Sequence, residues 1–380
     1  MFASSEIHSA ADARVLARGR LPWMVFDYID GAAGEGHGEA LNRAALQDLR
    51  LQPRILINVA ERKLGVTVFD HEAERPFGIS PMGMCNLSTP GADLMLARVA
   101  ARHKVPVGVS TVASTALETM IEKADGHAWF QLYISGDGSS TKGLLDRAQA
   151  CGYRTLVVTL DVPEVGRRPR ELRRGFKMPF RIGPRQFIDF ALHPRWSLST
   201  LINGRPEMAN FTGPDNKFDR TESRAAADWT KLKSLREQWQ GRLVIKGVLS
   251  IEDAVRLKQE GVDGIQVSSH GGRQLDSAPP AIRMLQRIRA AVGTEFPLFY
   301  DSGIRSGEDV VKAYAMGADF VFLGRPLLFA MAARGERGLA QLWDVVSDET
   351  SLTLAQLGRT SMHHLADTLA VEQPHKQQTD

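Results

Sequence analysis

Short apolar runs alternate with longer amphipathic segments from Phe77 to Leu323, and this alternation limits the folds open to the chain. The runs predict eight strands at Phe77–Ser80, Val105–Val109, Ala128–Leu132, Thr155–Leu160, Leu243–Ile245, Gly264–Val267, Leu298–Tyr300 and Phe320–Leu323. Parallel strands joined by crossover helices produce such a pattern. Eight repeats in roughly 260 residues match a closed (β/α)8 (TIM) barrel. A doubly wound α/β sheet also alternates, but the glycine loop of its nucleotide-binding version is missing.

The strand pattern divides the chain into three parts. Residues 1–75 are predicted to form an N-terminal helical cap, residues 76–370 the barrel, and residues 371–380 a polar tail. In the cap, Ala10–Arg20 favours a helix, and a second helix opens at Leu21–Pro22. Its predicted buried stripe comprises Trp23, Val25, Phe26 and Ile29. Four glycines are then expected to break the helical pattern, namely Gly31, Gly34, Gly36 and Gly38.

Composition argues against several classes of protein. The chain has 380 residues, 43% of them apolar, so it can bury a large core, and its formal charge of +3 does not indicate a nucleic-acid partner. Cys85 and Cys151 cannot make a disulfide framework, and their spacing suits no metal site, so no metal is expected. Two cysteines fit a reducing compartment. Without a signal pattern or an apolar run of about 18 residues, the chain is expected to be cytoplasmic.

Polar and glycine residues follow nearly every predicted strand. In chain order they are Pro81, Met82 and Gly83; Ser110; Gln131 and Tyr133; Thr159 and Asp161; Lys246; Ser268, His270 and Arg273; Asp301, Gly303 and Arg305; and Gly324 and Arg325. The carboxyl ends of barrel strands meet on one face, where enzymes of this fold assemble their sites. Each residue alone has an ordinary structural explanation, but eight such coincidences on one face are improbable. A catalytic site is therefore predicted there.

The loops after the seventh and eighth strands predict the type of ligand. They contain glycines, Arg305 and Arg325, and a helix is predicted to begin near Glu308. These loops are the usual phosphate site of the fold, so the ligand is a phosphorylated substrate or flavin mononucleotide (FMN). Three strand-end residues could bond the edge of a planar ring: Ser110, Gln131 and Thr159. FMN fits better, because a cation such as Lys246 would stabilise a reduced, anionic flavin.

The strand-end loops carry the resemblance to a known family. Four motifs resemble the FMN-dependent 2-hydroxy acid dehydrogenases and oxidases: Trp129–Tyr133, Ser268–Gln274, Asp301–Arg305 and Leu323–Arg325. The similarity covers nearly the whole chain, from about Ala11 to Leu369. Within the family, the chain is most similar to bacterial mandelate and L-lactate dehydrogenases, because His193–Ser197 and Asn203–Pro206 resemble theirs. One departure is Ser269, where the family usually has asparagine, and the shorter side chain alters how the strand end is braced.

The resemblance implies a role for each matching residue. His270 is expected to be the catalytic base and Asp161 its paired carboxylate. Arg273, helped by Tyr28, is implied to clamp the substrate carboxylate, and Arg168 to be a second active-site arginine. Tyr133 is implied to bond the substrate oxygen at C2, and Lys246 to lie beside N1 and O2 of the flavin. Arg305 and Arg325 are implied to bind the phosphate of FMN. The remaining strand-end residues are expected to surround FMN.

The implied reaction is oxidation of an L-2-hydroxy acid, mandelate-like or lactate-like, to the 2-keto acid. Electrons are expected to pass from FMN to a membrane quinone, and a homotetramer is implied. The sequence leaves open whether His270 takes the proton from C2 or from the hydroxyl. Two alternatives remain: an oxidase that reduces O2 to hydrogen peroxide, and an FMN-dependent isomerase of a phosphorylated substrate. Gly83 favours a dehydrogenase, since alanine is common there in the oxidases.

Residues 167–213 form a basic segment after the fourth strand that is too long for an ordinary loop. From Arg167 to Arg205 it has ten basic and two acidic residues. Aromatic and aliphatic side chains lie among the charges of residues 178–213. This mixture is typical of contact with an anionic membrane, here the inner face of the cell membrane. A lid over the site, or a solvated and partly mobile loop, would also explain it.

Overall fold

Eight parallel strands close into a barrel in the computed structural model, which describes residues 6–134, 139–176, 182–211 and 224–370. The strands are β1 (Val66–Val68), β2 (His71–Ala73), β3 (Phe77–Met82), β4 (Val107–Ser110), β5 (Ala128–Leu132), β6 (Thr155–Thr159), β7 (Arg242–Val248), β8 (Gly264–Val267), β9 (Leu298–Tyr300) and β10 (Phe320–Leu323). Strands β3 to β10 follow one another around the barrel, and β10 pairs with β3. The predicted (β/α)8 barrel is confirmed, and the doubly wound sheet is excluded.

Helices follow the barrel strands and form the cap. They are α1 (Ala10–Arg20), α2 (Trp23–Asp30), α3 (His37–Asp48), α4 (Ala92–His103), α5 (Leu117–Lys123), α6 (Ser139–Ala150), α7 (Pro169–Arg174), α8 (Pro184–Leu192), α9 (Pro194–Asn203), α10 (Trp229–Gln238), α11 (Ile251–Gln259), α12 (Ala281–Val292), α13 (Gly307–Ala315) and α14 (Arg325–Gln356). The α13 helix confirms the helix predicted after the seventh barrel strand. None of the described helices is both long enough and apolar enough to span a bilayer.

Aromatic rings fill the barrel near the amino ends of its strands. Trp129 on β5 contacts Phe299 on β9 and Phe322 on β10, with ring centroids 5.3 and 5.4 Å apart. Phe69, in the turn between β1 and β2, contacts Trp129 and Phe299 at 5.7 and 5.3 Å. Interlocking rings of this kind exclude a ligand from the lower barrel. The open end of the barrel is therefore the one at the carboxyl ends of the strands.

The cap contains one more helix than the sequence predicted. Helices α1 and α2 form as expected, but Trp23 is 44% exposed and does not belong to the buried stripe, because it starts α2 at the surface. Helix α3 was missed, since its first turn contains glycine. A Cβ atom on Gly38 would lie 2.8 Å from the carbonyl oxygen of Asp276. That glycine permits close packing of α3 on the barrel and does not end a helix.

Three helices lie in the part of the segment 167–213 that the structure describes. Helices α7, α8 and α9 replace the predicted long loop, and residues 177–181, 212–223 and 371–380 lie outside the described residues. Buried Asp189 on α8 accepts hydrogen bonds from the backbone N–H groups of Trp23 (2.9 Å) and Met24 (3.2 Å). The indole of Trp196 on α9 donates to the carbonyl of Leu87 (2.8 Å). Both helices are thus attached to the cap and the barrel, which contradicts a loose, solvated loop.

Candidate active site

The mouth of the barrel forms a pocket at the carboxyl ends of the strands. Its lining includes these predicted residues: Tyr28, Pro81, Met82, Gly83, Tyr133, Arg168, Lys246, His270, Arg273, Asp301, Gly303, Arg305, Gly324 and Arg325. The other predicted residues lie behind this lining: Ser110, Gln131, Thr159, Asp161 and Ser268. The fold thus brings together residues from the cap and from every barrel strand.

His270 and Asp161 form a hydrogen-bonded pair beside the pocket. Their Nδ1 and Oδ1 atoms are 3.0 Å apart. His270 has a left-handed backbone (φ 53°), and its N–H donates to the Ser268 hydroxyl (3.0 Å). A non-glycine residue in this conformation stores strain that its surroundings must support. A carboxylate acceptor favours the tautomer with hydrogen on Nδ1, so Nε2 remains available to accept a proton.

Burial and neighbouring charges determine the ionisation of this pair. Burial lowers the pKa of His270, and the ammonium of Lys246 lowers it further, although Asp161 opposes both effects. Burial alone would raise the pKa of Asp161, but His270 and Lys246 hold it below the usual range. The imidazole is therefore neutral and the carboxylate ionised near neutral pH. A proton acceptor with a fixed negative partner is ready in the pocket.

Two arginines converge at the cap side of the pocket. Arg273 donates to the carbonyls of Tyr28 (2.8 Å) and Gly31 (2.6 Å), and its guanidinium lies 5.4 Å from the centre of the Tyr28 ring. Arg168 reaches the same place from the start of α7, where it donates to the Arg273 carbonyl (3.3 Å). The Tyr28 ring stacks on Phe176 at 4.4 Å. The arrangement offers planar, permanently charged donors to a carboxylate.

Glu171 holds these arginines together and was not recognised in the sequence. It is 5% exposed, and its Oε1 atom lies 2.8 Å from Arg273 and 3.4 Å from Arg168. Its spacing of three residues from Arg168 on a helix was the available signal. The sequence alone did not show that a loop from β8 would place Arg273 against the same carboxylate.

Lys246 occupies a buried polar network under the pocket. Its ammonium donates to the Ser268 hydroxyl (2.9 Å) and lies 3.5 Å from the Asp301 carboxylate. Burial by itself would lower the pKa of Lys246, but Asp301 and Asp161 raise it above the usual range. The lysine is thus a permanent cation. Beside it, Gln131 accepts from Ser110 (3.1 Å) and donates to Thr159 (3.0 Å).

Ser302 braces the end of β8, where the chain has Ser269 and the family resemblance predicted asparagine. The Ser302 hydroxyl accepts from the N–H groups of Ser269 (3.0 Å) and Gly271 (3.2 Å). The hydroxyl of Ser269 itself is buried and has no hydrogen-bond partner among the described residues. The backbone of the loop that carries His270 is therefore held without the Ser269 side chain.

Two partly buried arginines lie after the carboxyl ends of β9 and β10. Arg305 and Arg325 share Glu39 of α3, with N–O distances of 3.3 and 3.9 Å. Burial and the charge of Arg305 lower the pKa of Arg325 to about 10. Two guanidinium groups and one carboxylate leave a positive charge beside Gly303 and Gly324, where a phosphate dianion fits. Together with Lys246 in the same pocket, Arg305 and Arg325 form a set of donors that suits FMN. Glu39 was not recognised in the sequence, because α3 was missed.

Comparisons with known proteins identify the family of the chain. A family model described as FMN-dependent dehydrogenase matches residues 17–372. (S)-Mandelate dehydrogenase of Pseudomonas putida is 38% identical over 362 residues, which are 93% of this chain and 91% of that protein. L-Lactate dehydrogenase of Pseudomonas syringae pv. syringae (strain B728a) is 35% identical over 381 residues, covering 96% of this chain and 99% of that protein.

Solved structures give the same result. The crystal structure of the monotopic membrane protein (S)-mandelate dehydrogenase superposes with a TM-score of 0.91 at 37% identity, and it covers 96% of this chain and 99% of that one. A mandelate oxidase variant with (S)-mandelic acid gives 0.82 at 33% identity, with the same coverage of 96% and 99%. The chain therefore belongs to the family of FMN-dependent 2-hydroxy acid dehydrogenases, oxidoreductases whose cofactor is FMN.

Proposed function

We propose that this flavoenzyme oxidises a mandelate-like or lactate-like L-2-hydroxy acid to the 2-keto acid and passes the electrons to a membrane quinone. The observation that carries the proposal is the His270–Asp161 pair, with 3.0 Å between its polar atoms, on the same pocket as Arg168 and Arg273. A base beside two fixed cations suits an anionic substrate that must lose a proton. The isomerase alternative has no support, since it needs neither feature.

Binding and orientation of the substrate carboxylate fall to Arg168 and Arg273. Their planar forks bind two oxygens at once and do not titrate near neutral pH. Glu171 fixes the forks, and Tyr28 covers one face of Arg273. The phenol of Tyr133 lines the same pocket and is proposed to donate to the oxygen at C2. A substrate that is bound both through its carboxylate and through its oxygen at C2 presents the C2 atom to His270.

Proton removal falls to His270. Its Nε2 atom accepts a proton from the substrate, and Asp161 stabilises the imidazolium that forms. The same residues serve whether the proton leaves C2 or the C2 hydroxyl. When bound, FMN supplies the acceptor for the two electrons. Lys246 keeps a positive charge in the network below the pocket, and Arg305 with Arg325 would hold the phosphate.

Anaerobic spectra of the purified flavoprotein test the proposal. L-Lactate, glycolate and the two mandelate enantiomers are added separately, and air is then admitted. Bleaching of the flavin by an L-2-hydroxy acid is expected, and the His270→Asn variant should bind FMN but bleach about 10²-fold more slowly. Slow return of colour in air indicates a dehydrogenase. Rapid return of colour indicates an oxidase, and the similarity to a mandelate oxidase is the observation that favours this alternative. If no acid bleaches bound flavin, the proposal is wrong.

Helices α8 and α9 are proposed to attach the enzyme to an anionic membrane surface, at the inner face of the cell membrane. Their exposed apolar residues are Phe187, Ile188, Leu192, Leu198, Leu201 and Ile202, each more than half exposed. Basic residues lie among them at Arg185 and Arg195. Apolar area and positive charge together suit an anionic interface. A relative described as a monotopic membrane protein supports this proposal.

A homotetramer is proposed from the same family resemblance. Light scattering coupled to size-exclusion chromatography tests this proposal. The mass of one chain is 41.8 kDa, and the FMN-loaded enzyme should have four times that mass. A monomeric mass would exclude the tetramer without affecting the proposed reaction.

A further inference from the structure

Arg224 is a cation of the pocket that the proposed chemistry does not use. It is 7% exposed and lines the pocket beside Tyr133. Its guanidinium carbon lies 4.8 Å from the centre of the Tyr133 ring. Tyr133 follows β5, which stands across the closed barrel from β9, the strand that leads to the phosphate-end arginine Arg305. Arg224 is therefore on the substrate side of the pocket and not a phosphate ligand.

The backbone of Arg224 is fixed to the loop that carries Asp161. Its N–H donates to the carbonyl of Pro163 (2.9 Å), two residues beyond Asp161. Its own carbonyl accepts from the N–H of Ala227 (3.0 Å). These bonds place the backbone of Arg224 beside the neighbouring strand end, from which its side chain lies over Tyr133. The backbone position of Arg224 is thus set by the same loop that carries the carboxylate partner of His270.

A cation over the face of a phenol has two physical effects. The ring quadrupole attracts the guanidinium, which restricts the plane of the ring. The positive charge also stabilises negative charge on the phenol oxygen, so the O–H group becomes a stronger donor. Burial raises the pKa of Tyr133, while Lys246 and Arg224 act in the opposite direction. Both effects favour donation of the Tyr133 hydroxyl to an oxygen that gains charge.

We propose that Arg224 is a positioning residue for Tyr133, which it holds by stacking on the ring so that the phenol donates to the oxygen at C2 of the substrate. The inference rests on the proposed role of Tyr133. It assigns no contact between Arg224 and the substrate, and it requires that the whole effect of Arg224 pass through the phenol.

A double-mutant cycle tests this requirement. Arg224→Met and Arg224→Lys are made in the wild-type chain and in a Tyr133→Phe chain, and FMN reduction is followed by stopped flow at saturating substrate. Arg224→Met should slow reduction roughly five- to thirtyfold with little change in KM, as expected for loss of a desolvated cation–π contact. Arg224→Lys should restore part of the rate, because it keeps the charge. In the Tyr133→Phe chain, the Arg224→Met change should alter the rate less than twofold.

Three results would overturn the proposal. An equal loss in both backgrounds means that Arg224 acts independently of Tyr133. A change in the order of preferred substrates means that Arg224 contacts the substrate. Wild-type rates in the Arg224→Met variant mean that it has no role. Flavin content reports folding of each variant, and Arg283→Met, at an exposed position on α12, is the matched control. If no hydroxy acid reduces the flavin of the wild-type enzyme, the proposed function is wrong. If the wild-type flavin is reduced and one of the three results above is found, only the role of Arg224 is wrong.

Discussion

His270 lies among opposing charges, and their balance fixes its protonation. Lys246 and burial favour the neutral imidazole, and Asp161 favours the imidazolium. Asp161 also has a second oxygen, Oδ2, that is buried without a hydrogen-bond partner among the described residues. Its charge is therefore little compensated except by the groups around His270. A base in this environment is neutral before the reaction and stabilised when it becomes charged.

The pH dependence of flavin reduction follows from these shifts. Because burial and Lys246 hold the pKa of His270 below its usual range, the rate constant should be constant near neutral pH and fall as acid protonates the imidazole. Asp161 raises the pKa of His270, so Asp161→Asn should move the acid limb to still lower pH and also slow the plateau rate. Stopped-flow reduction from pH 5 to 8 measures both. An acid limb that moves to higher pH in the variant would contradict the assignment.

Glu171 determines the charge of the carboxylate clamp. In Glu171→Gln, the shape remains but Arg273 loses an anionic partner at 2.8 Å. Substrate and product carboxylates should bind more tightly, by roughly tenfold, because they now compensate a buried cation. The rate of flavin reduction should fall, since the arginine forks lose their orientation. Titration of the oxidised flavin with a 2-keto acid and stopped-flow reduction separate the effects. Weaker binding together with an unchanged rate would rule out this role.

At the scale of elements, an irregularity in β7 leaves room for Asp161, the partner of His270. The pairing of β7 with β8 shifts register between Lys246 and Val248. Gly247 lies at the shift with φ +97°, and a Cβ atom there would be 2.5 Å from Cγ of Asp161. A bulge of this type redirects neighbouring side chains. Here it gives the Asp161 carboxylate room beside the strand that carries Lys246.

Gly247→Ala should therefore damage the site as well as the fold. Alanine at a strongly positive φ costs about 1–3 kcal/mol of unfolding free energy, and the added methyl group displaces Asp161. Gly261→Ala is the matched control, because Gly261 has φ +77° but a methyl group there would meet nothing within 4 Å. Both variants should melt at lower temperature, and only Gly247→Ala should lose flavin reduction. Equal activity in the two variants would disprove the link to Asp161.

Helices α8 and α9 are proposed to bind the membrane surface and to take no part in the chemistry. Leu201→Ser with Ile202→Ser removes apolar side chains that are 79% and 81% exposed. Sedimentation with anionic liposomes should fall severalfold, while flavin reduction by the substrate stays unchanged. Leu352→Ser, at a residue 58% exposed on α14, is the control and should not alter sedimentation. Undiminished lipid binding by the double variant would place the membrane contact elsewhere.

Across the whole molecule, the sequence predicted what depends on local pattern and missed what depends on distant contacts. The barrel strands were found because each is a short apolar run, and the observed limits lie within three residues of the predictions. Strand ends then identified His270 and its neighbours. Helix α3 was missed because Gly38 looks like a helix breaker unless the Asp276 carbonyl beside it is known. Glu39 and Glu171 were missed for the same reason, since their partners lie far along the chain.

The cap supplies a side chain to each end of the pocket. Tyr28 contacts Arg273, and Glu39 of α3 pairs with Arg305, a residue 266 positions later. A residue that is synthesised early is thus paired with one that is synthesised much later. A nascent chain that stops before β9 contains Glu39 but not its partner Arg305. Only chains that include β9 and Arg305 should therefore retain flavin. Truncated chains that end before β9 should lack the flavin colour after purification.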